Sequence, residues 1–244
     1  MTPRHASTYS YRAKLGLIVP PTNTVNEAEW AQLMPEGVTF HSHRMPLHGP
    51  GETEALMRDL SASVALLAQS GADAIAYACT AGSMTVPATQ MPDAATEATG
   101  QRVLTTSAAL IDALRALGAK RISIATPYAQ ATNDHEVAFL AAHGIETLAI
   151  AGLGIGAGGP HEFVQIARTP LDKVRDQALR VFDPASDALL IACTDFPTLP
   201  LIPELEATLG VPVVTSNQAT LWAMLRATGI EDHLANAGRL LADH

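Results

Sequence analysis

Long hydrophobic runs are the first feature that the sequence lacks. No apolar stretch in its 244 residues reaches the roughly 20 residues that a membrane helix needs, and residues 1–11 lack the apolar segment of a signal peptide. Basic residues are also few, with 15 lysines and arginines against 24 acidic residues and no basic run. We therefore expect a cytoplasmic protein that binds neither nucleic acid nor an anionic membrane. A small carboxylate ligand stays open, because a local site can override the net charge.

Aromatic residues and cysteines are scarce as well. Aromatics make up 5% of the chain while hydrophobic residues reach 48%. Alanine, leucine, isoleucine and valine therefore supply most of the apolar surface, which suits helices packed on a buried sheet. Only two cysteines occur, Cys79 and Cys193, and both are expected to be thiols in a reducing compartment. No P-loop, H-E-x-x-H or G-x-S-x-G motif is present.

Short apolar runs alternate with longer amphipathic stretches along the chain. This alternation predicts an α/β protein with mainly parallel sheets flanked by helices. The predicted strands are 15–19, 39–43, 74–78, 102–104, 121–125, 146–150, 188–192 and 211–214, of which 39–43 is the more exposed. The predicted helices are 52–69, 107–117, 132–143, 170–182, 201–209 and 217–228. Residues 88–98 are predicted to be weakly helical at best, because Pro92 interrupts them.

The second half of the sequence repeats the pattern of the first. Three pairs of segments keep their order at nearly one spacing, with offsets of 107 for Pro20 and Pro127, 114 for Cys79 and Cys193, and 110 for Thr105 and Thr215. The spacing indicates an internal duplication. It predicts an N-terminal tail over 1–11, a first α/β half-domain over 12–105 plus 216–244, and a second over 106–215. The active site is expected in the cleft between these two pseudo-symmetric half-domains.

The two cysteines are the strongest candidates for chemistry. Each follows a predicted strand in the same local sequence, Ala-Cys-Thr, and ligands of parallel α/β sheets bind beyond the carboxyl ends of the strands. The N–H groups of the turn that follows favour an anion, whether a thiolate or a substrate carboxylate. One cysteine alone is more often a small buried hydrophobe. Two at equivalent repeat positions favour function, with both thiols facing one cleft.

Polar side chains follow other predicted strands. Asn23 offers amide donors for a carboxylate, or is a turn residue, since asparagine is common in turns. The Tyr128 hydroxyl could donate to an oxyanion, or the ring is a half-buried aromatic. The hydroxyls of Thr106-Ser107 and Thr215-Ser216-Asn217 are expected mainly to cap the helices that follow them.

Two further patterns are weak. Residues 154–159 match G-x-G-x-x-G, but Pro160 follows and no strand ending in an acidic residue comes about 20 residues later, so we predict a mobile loop over the cleft. His41, His43 and His48 lie close together in sequence, but no acidic or cysteine partner has metal-ligand spacing. We expect a solvated strand or an interface there, and no metal site.

Several segments together resemble the aspartate/glutamate racemase superfamily, and within it the branch of maleate cis–trans isomerases and arylmalonate decarboxylases. The resemblance spans about 15–241. The segments that carry it are GLIVPPTNTVNEAE, YACTAGSM, TPY, IACTDFPTLPLIPELEATLGVPVVTSNQATLW and NAGRLL. The cysteine segments and PVVTSNQA are specific to the superfamily and less specific for one reaction.

The resemblance implies an enzyme with two pseudo-symmetric halves and no metal or organic cofactor, and a homo-oligomer is a family expectation. Cys79 matches the cysteine that adds to the alkene in the isomerases, and Cys193 matches the one that exchanges a proton. Asn23 and Tyr128 match carboxylate-binding positions. The remaining substrate-binding residues, at the backbone N–H groups after each cysteine and at the end of the first strand, would be Thr80, Ala81, Thr194 and Pro20.

The same resemblance ranks the reactions. The decarboxylases keep only the second cysteine and have glycine at the first, so retention of Cys79 speaks against that reaction. The segment 151–168 lacks the carboxylate-binding asparagine of the maleate isomerases and has glycines, His161 and Glu162. This points away from maleate itself and leaves the two-cysteine chemistry in place.

Three hypotheses therefore stay open. The first is cis–trans isomerisation of a small dicarboxylate, and the second is racemisation or epimerisation of a small carboxylic or amino acid by two-thiol proton transfer. The third is a non-catalytic protein that binds a small acid, because a fold does not fix a function.

Overall fold

Two four-stranded parallel sheets form the centre of the molecule. The computed structural model describes residues 4–49 and 51–244. The first sheet has the order β2-β1-β3-β4 and the second has the order β6-β5-β7-β8. All strand pairs in both sheets are parallel, which confirms the predicted α/β class.

The first half of the sequence contains the elements from the first strand to the fourth helix. The strands are β1 (Ala13–Val19), β2 (Val38–Arg44), β3 (Ala74–Tyr77) and β4 (Val103–Thr105). The helices are α1 (Asn26–Leu33), α2 (Thr53–Ala68), α3 (Gln90–Thr99) and α4 (Thr106–Ala116). A short 3-10 helix, Ala81–Ser83, follows β3.

The second half continues in the same manner. The strands are β5 (Arg121–Tyr128), β6 (Glu146–Ile155), β7 (Ala188–Ile191) and β8 (Val213–Thr215). The helices are α5 (Gln130–Ala142), α6 (Leu171–Val181), α7 (Ile202–Leu209), α8 (Ser216–Ala227) and α9 (Arg239–Asp243). Two 3-10 helices, Pro160–Gln165 and Leu199–Leu201, belong to this half.

The two sheets have the same topology. Strands β1, β3 and β4 occupy the same places in the first sheet as β5, β7 and β8 in the second, and these are the pairs that the duplicated segments predicted. Helices α4 and α8, which follow the last strand of each sheet, pack against each other. The bounds of the half-domains and of the N-terminal tail stay predictions, and residues 1–3 of that tail lie outside the described residues.

The predictions for five elements need correction. Residues 90–99 form a regular helix, because Pro92 lies in its first turn, where a backbone N–H has no acceptor within the helix. Strand β5 continues through Pro127, which lies beyond its pairing with β7 and at a register shift against β6. Strand β6 extends to Ile155, and helices α1 and α9 were not predicted.

The strands that lead to the cysteines are the most buried part of the fold. Every residue of β3 and of β7 is buried, so the positions of Cys79 and Cys193 are set by rigid, close-packed elements. Among the described residues, no helix is long and apolar enough to cross a membrane.

Candidate active site

A cavity of about 150 Å³ lies at the carboxyl ends of both sheets. It is bordered by the residues that end or follow β1, β3, β5 and β7. Seven of the eight residues predicted for the site line it: Pro20, Cys79, Thr80, Ala81, Tyr128, Cys193 and Thr194. The structure thus brings the two thiols to one cavity, as the duplication suggested, while the role of each residue in a reaction stays a proposal.

Asn23 is the exception, because it is not among the residues that line this cavity. Its side chain is fully buried. The Nδ2 atom donates to Thr194 Oγ1 at 3.1 Å, and Oδ1 accepts from the backbone N–H groups of Val25 and Asn26. The amide therefore orders the start of α1 and orients a neighbour of Cys193 instead of facing the cavity.

Cys79 lies in a tight environment on the side of the first half. The Tyr77 hydroxyl and the backbone N–H of Gly82 are the polar groups that lower the pKa of its thiol. A Cβ atom at Gly82 would lie 2.9 Å from Cys79 Sγ and 2.6 Å from the Tyr77 hydroxyl. Glycine is therefore required at position 82 for the close approach of backbone to thiol.

Cys193 has the equivalent partners on the other side. Its sulfur accepts from the backbone N–H of Asp195 at 3.4 Å, and the Tyr128 hydroxyl lowers the pKa of its thiol. The backbone has a φ of 101°, which is strained for any residue other than glycine. The Cys193 N–H donates to Ser216 Oγ at 2.9 Å and helps to hold this conformation. Such strain persists where surrounding contacts fix it, and it clusters at functional sites.

Burial dominates the electrostatics of both thiols. It raises the pKa of Cys79 and raises that of Cys193 to about 12, although the tyrosine hydroxyls and backbone N–H groups lower both values. Proximity to Cys79 also raises the pKa of Cys193. The free protein at neutral pH therefore holds both cysteines mainly as thiols.

Hydrogen bonds between the carboxyl ends of the two sheets fix the two cysteine loops relative to each other. Thr80, which follows the first cysteine, donates to Ser216 Oγ at 2.9 Å. Thr194, which follows the second, donates to the backbone carbonyl of Ala78 at 3.0 Å. The threonine after each cysteine thus contacts the opposite side of the cleft, and its hydroxyl has a structural task.

The predicted capping of the helices that follow β4 and β8 is confirmed only in part. Thr215 caps α8 in a capping box with Gln218, as predicted. In the first half, Thr105 and not Thr106 or Ser107 caps α4. Ser107 is used differently, because its hydroxyl donates to the Ser83 carbonyl.

The outer wall of the cavity is apolar, and the sequence did not reveal it. Leu47, Ile155, Phe163 and Ile166 line it, with Gly156 between them. The glycine-rich segment thus borders the cavity, as predicted, although its mobility stays a prediction. Glu162 stabilises the glycine-rich segment, because its Oε2 accepts from the N–H groups of Gly156 at 2.7 Å and Gly158 at 3.2 Å.

Asp195 is the charged residue that sequence reasoning missed. It lines the cavity, and its side chain is only 5% exposed. Oδ1 accepts from the Thr24 N–H at 2.8 Å, while Oδ2 is buried without a partner among the described residues. Burial raises the pKa of this carboxyl to about 6. The sequence feature that could have pointed to Asp195 is its position two residues after Cys193.

The histidines of the second strand and the loop after it do not enter the cavity lining. His41 is exposed and contacts Thr39, while His48 Nε2 lies 3.1 Å from Asp59 Oδ2. Within 4–49 and 51–244, no group of three or more histidine, cysteine or acidic residues is placed to hold a metal ion.

Known proteins are similar to this chain over most of its length. A family model described as arylmalonate decarboxylase matches residues 15–241. An arylmalonate decarboxylase from Bordetella bronchiseptica is 32% identical, with 88% of this chain and 90% of that protein covered. A maleate isomerase from Geobacillus stearothermophilus is 30% identical, with 94% of this chain and 97% of that protein covered.

Solved structures of similar proteins have the same overall fold as this chain. A maleate isomerase from Pseudomonas putida S16, solved with maleate, has a TM-score of 0.85 at 27% identity and covers 94% of this chain and 97% of its own. A Nocardia farcinica maleate cis–trans isomerase has the same TM-score and identity and covers 95% of this chain and 99% of its own. That isomerase was solved as a cysteine-to-serine variant with a covalently bound succinylcysteine intermediate.

Proposed function

The chain belongs to the arylmalonate decarboxylase family, and from this premise we propose that it is a cofactor-independent isomerase. It interconverts the cis and trans forms of a small unsaturated acid of the maleate and fumarate type. The observation that carries the proposal is the pair of thiols on one cavity between the two sheets. The maleate isomerase relatives and the covalent cysteine intermediate of one of them support the same chemistry.

The reaction uses the two cysteines in different roles. Cys79 as thiolate adds to one alkene carbon, and Cys193 gives its proton to the neighbouring carbon, so that a C–S and a C–H bond form and the π bond breaks. The central bond is now single and rotates. Cys193 takes the proton back, the C–S bond breaks, and the trans acid leaves. A thiolate suits this task because it is a strong nucleophile and also a good leaving group.

The surroundings of each sulfur support these roles. The Tyr77 hydroxyl and the Gly82 N–H stabilise negative charge on Cys79, and the hydroxyl of Tyr128 contacts the sulfur of Cys193. Backbone N–H groups at Thr80 and Ala81 are the donors for the substrate carboxylate and for the enolate-like charge that develops during addition. Thr194 and Pro20 complete the polar and apolar walls, and Asn23 acts through Thr194.

Racemisation by two-thiol proton transfer is the second candidate. The observation that favours it is the near-equivalence of the two thiols, which line one cavity and whose pKa values are each lowered by one tyrosine hydroxyl and one backbone N–H. One thiolate would remove an α-proton while the opposite thiol delivers a proton to the other face. Decarboxylation is less favoured, because Cys79 stands where the decarboxylases have glycine.

Proton NMR in deuterated water tests these reactions together, with small unsaturated acids, their half-amides and amino acids as substrates. We expect cis–trans conversion by the wild type. We expect none by Cys79→Ala, and a loss of about 10²–10⁴ in rate for Cys193→Ala, which removes the acid–base group. Circular dichroism of each variant reports its folding. Full isomerase activity in Cys79→Ala would exclude the mechanism, and deuterium at the α-carbon of recovered substrate without isomerisation would favour racemisation.

A further inference from the structure

The cavity carries a carboxylate that the proposed mechanism does not use. Asp195 lines it, and its Oδ2 atom is buried without a hydrogen-bond partner among the described residues. Oδ1 is already occupied by the Thr24 N–H. A buried acceptor left without a donor is costly, and a ligand that offers an N–H group would remove this cost.

No positive side chain compensates Asp195 inside the cavity. Among the described residues that line it, none is lysine, arginine or histidine. Arg44 is the cation that acts on Asp195 from β2, but its guanidinium already pairs with Glu27 at 2.8 Å and is 42% exposed. A ligand carboxylate at this end of the cavity would therefore meet a like charge with no counterion.

The hydroxyl side chains of the cavity lining are those of Thr22, Thr80, Tyr128, Thr132 and Thr194, and none of them carries a positive charge that would compensate two carboxylates. Leu47, Ile155, Phe163 and Ile166 form the wall, and apolar walls of low dielectric strengthen the repulsion between two carboxylates. In the proposed function, the first carboxylate of a ligand is held by the backbone N–H groups of Thr80 and Ala81. The residues after the two cysteines thus differ, because Asp195 follows Thr194 in the cavity lining while the uncharged Ala81 follows Thr80.

We propose that Asp195 is a specificity-determining residue that accepts a hydrogen bond from an N–H group of the substrate. The preferred substrate is then an acid with one carboxylate and with a nitrogen-bearing second end, either a carboxamide or an ammonium group. A symmetric dicarboxylate is disfavoured. This inference rests on the proposed function in placing the substrate between the two thiols, but it concerns recognition and does not require turnover.

Protection of the thiols measures recognition without turnover. Iodoacetamide modification of Cys79 and Cys193 is followed by mass spectrometry at pH 8, with succinate, succinamate or 4-aminobutyrate as saturated ligands. At this pH Asp195 is ionised. We expect succinamate, 4-aminobutyrate or both to protect the wild type at concentrations at least about tenfold lower than succinate, since tenfold corresponds to about 1.4 kcal/mol. The stronger of the two identifies the nitrogen group.

The variant Asp195→Asn tests the residue itself. Its Oδ1 can still accept from Thr24, while the negative charge is gone, so succinate is expected to protect it about as well as succinamate. Asp195→Ser, which removes the carboxylate by another route, serves if the asparagine variant fails to fold. Asp176→Asn is the matched control, because Asp176 is 59% exposed on α6 and loses the same charge; it should keep the wild-type order of ligands.

The outcomes separate this inference from the proposed function. Equal or stronger protection of the wild type by succinate would overturn the role of Asp195, as would an unchanged ligand order in Asp195→Asn and Asp195→Ser, or an absence of protection by every ligand. If the nitrogen-bearing ligands protect as expected but neither maleate nor maleamate is isomerised, the proposed function fails while the role of Asp195 stands.

Discussion

At the scale of single residues, reactivity depends on how the two sulfurs are buried. Burial raises the pKa of Cys79 above that of a free thiol and raises the pKa of Cys193 to about 12. Because the thiolate is the reactive form, we expect iodoacetamide modification of the free protein to keep rising with pH beyond pH 9 at both residues. Rates measured by mass spectrometry from pH 6 to 10.5 check this.

The comparison for that measurement is the same protein unfolded in urea. There both thiols are solvated, and their modification rates should level off above the ordinary thiol pKa of about 8.5. A plateau of either cysteine near pH 8.5 in the folded protein would contradict the expectation. It would mean that the hydroxyl and N–H partners of that sulfur outweigh its burial.

Residue types and local order predicted most of the cavity lining but not its details. The shared Ala-Cys-Thr sequence placed both thiols at strand ends, and the structure brings them to one cavity. The positive φ of Cys193 and the buried amide of Asn23 were not predicted, and this amide contacts Thr194 across the cleft. Such contacts join residues 171 positions apart, so no local pattern encodes them.

At the scale of elements, hydrophobic periodicity located most strands and helices because their apolar faces are regular. Proline misled the prediction at two places, because strand β5 continues through Pro127 and a helix forms around Pro92. Pro92 was treated as an interruption, although a proline in the first turn of a helix removes no hydrogen bond. Helix α1 was missed because its burial is carried by few residues, among them the polar Asn26 and Glu29.

Glu29 gives α1 a role in joining the two halves. Its Oε1 accepts from the N–H groups of Thr198 at 2.6 Å and Leu199 at 2.8 Å, and Oε2 accepts from Asn217 Nδ2 at 2.7 Å. In Glu29→Gln, one oxygen becomes an NH₂ group that faces donors. We therefore expect a loss of about 2–3 kcal/mol in the free energy of unfolding, measured with urea.

The control for that change lies on the same helix. Glu27 pairs with Arg44 at the surface and is 30% exposed, so Glu27→Gln is expected to cost less than about 1 kcal/mol. Equal effects of the two substitutions would show that the buried contacts of Glu29 with 198–199 and α8 add no stability.

At the scale of the whole molecule, duplication explains why the site lies where it does. Two copies of one sheet order place the carboxyl ends of four strands around one cavity. The repeat offsets predicted this arrangement, because equivalent strands recur in the same order. The unequal features of the cavity, such as Asp195 and the apolar wall, could not follow from symmetry, since they are the points at which the halves differ.

The stability of the whole fold should depend on pH in part through Glu136, a buried acid of the second half. Glu136 on α5 is fully buried, and neither carboxyl oxygen has a hydrogen-bond partner among the described residues. Burial raises its pKa from 4.5 to about 8. The folded state therefore binds a proton that the unfolded state has lost between these values, and stability falls as pH rises through this range.

The variant Glu136→Gln removes this titration and keeps the shape of the side chain. From pH 5 to 8, the free energy of unfolding of the wild type should fall relative to that of the variant by up to about 1.4 kcal/mol per pH unit. Other acids contribute equally to both proteins, so the difference isolates Glu136. Glu97→Gln, an exposed change on α3, should run parallel to the wild type. If the free energy of unfolding of Glu136→Gln changed with pH in the same way as that of the wild type, the pKa of Glu136 would not be raised in the folded protein. Water or a shift of α5 would then have to stabilise its carboxylate inside the fold.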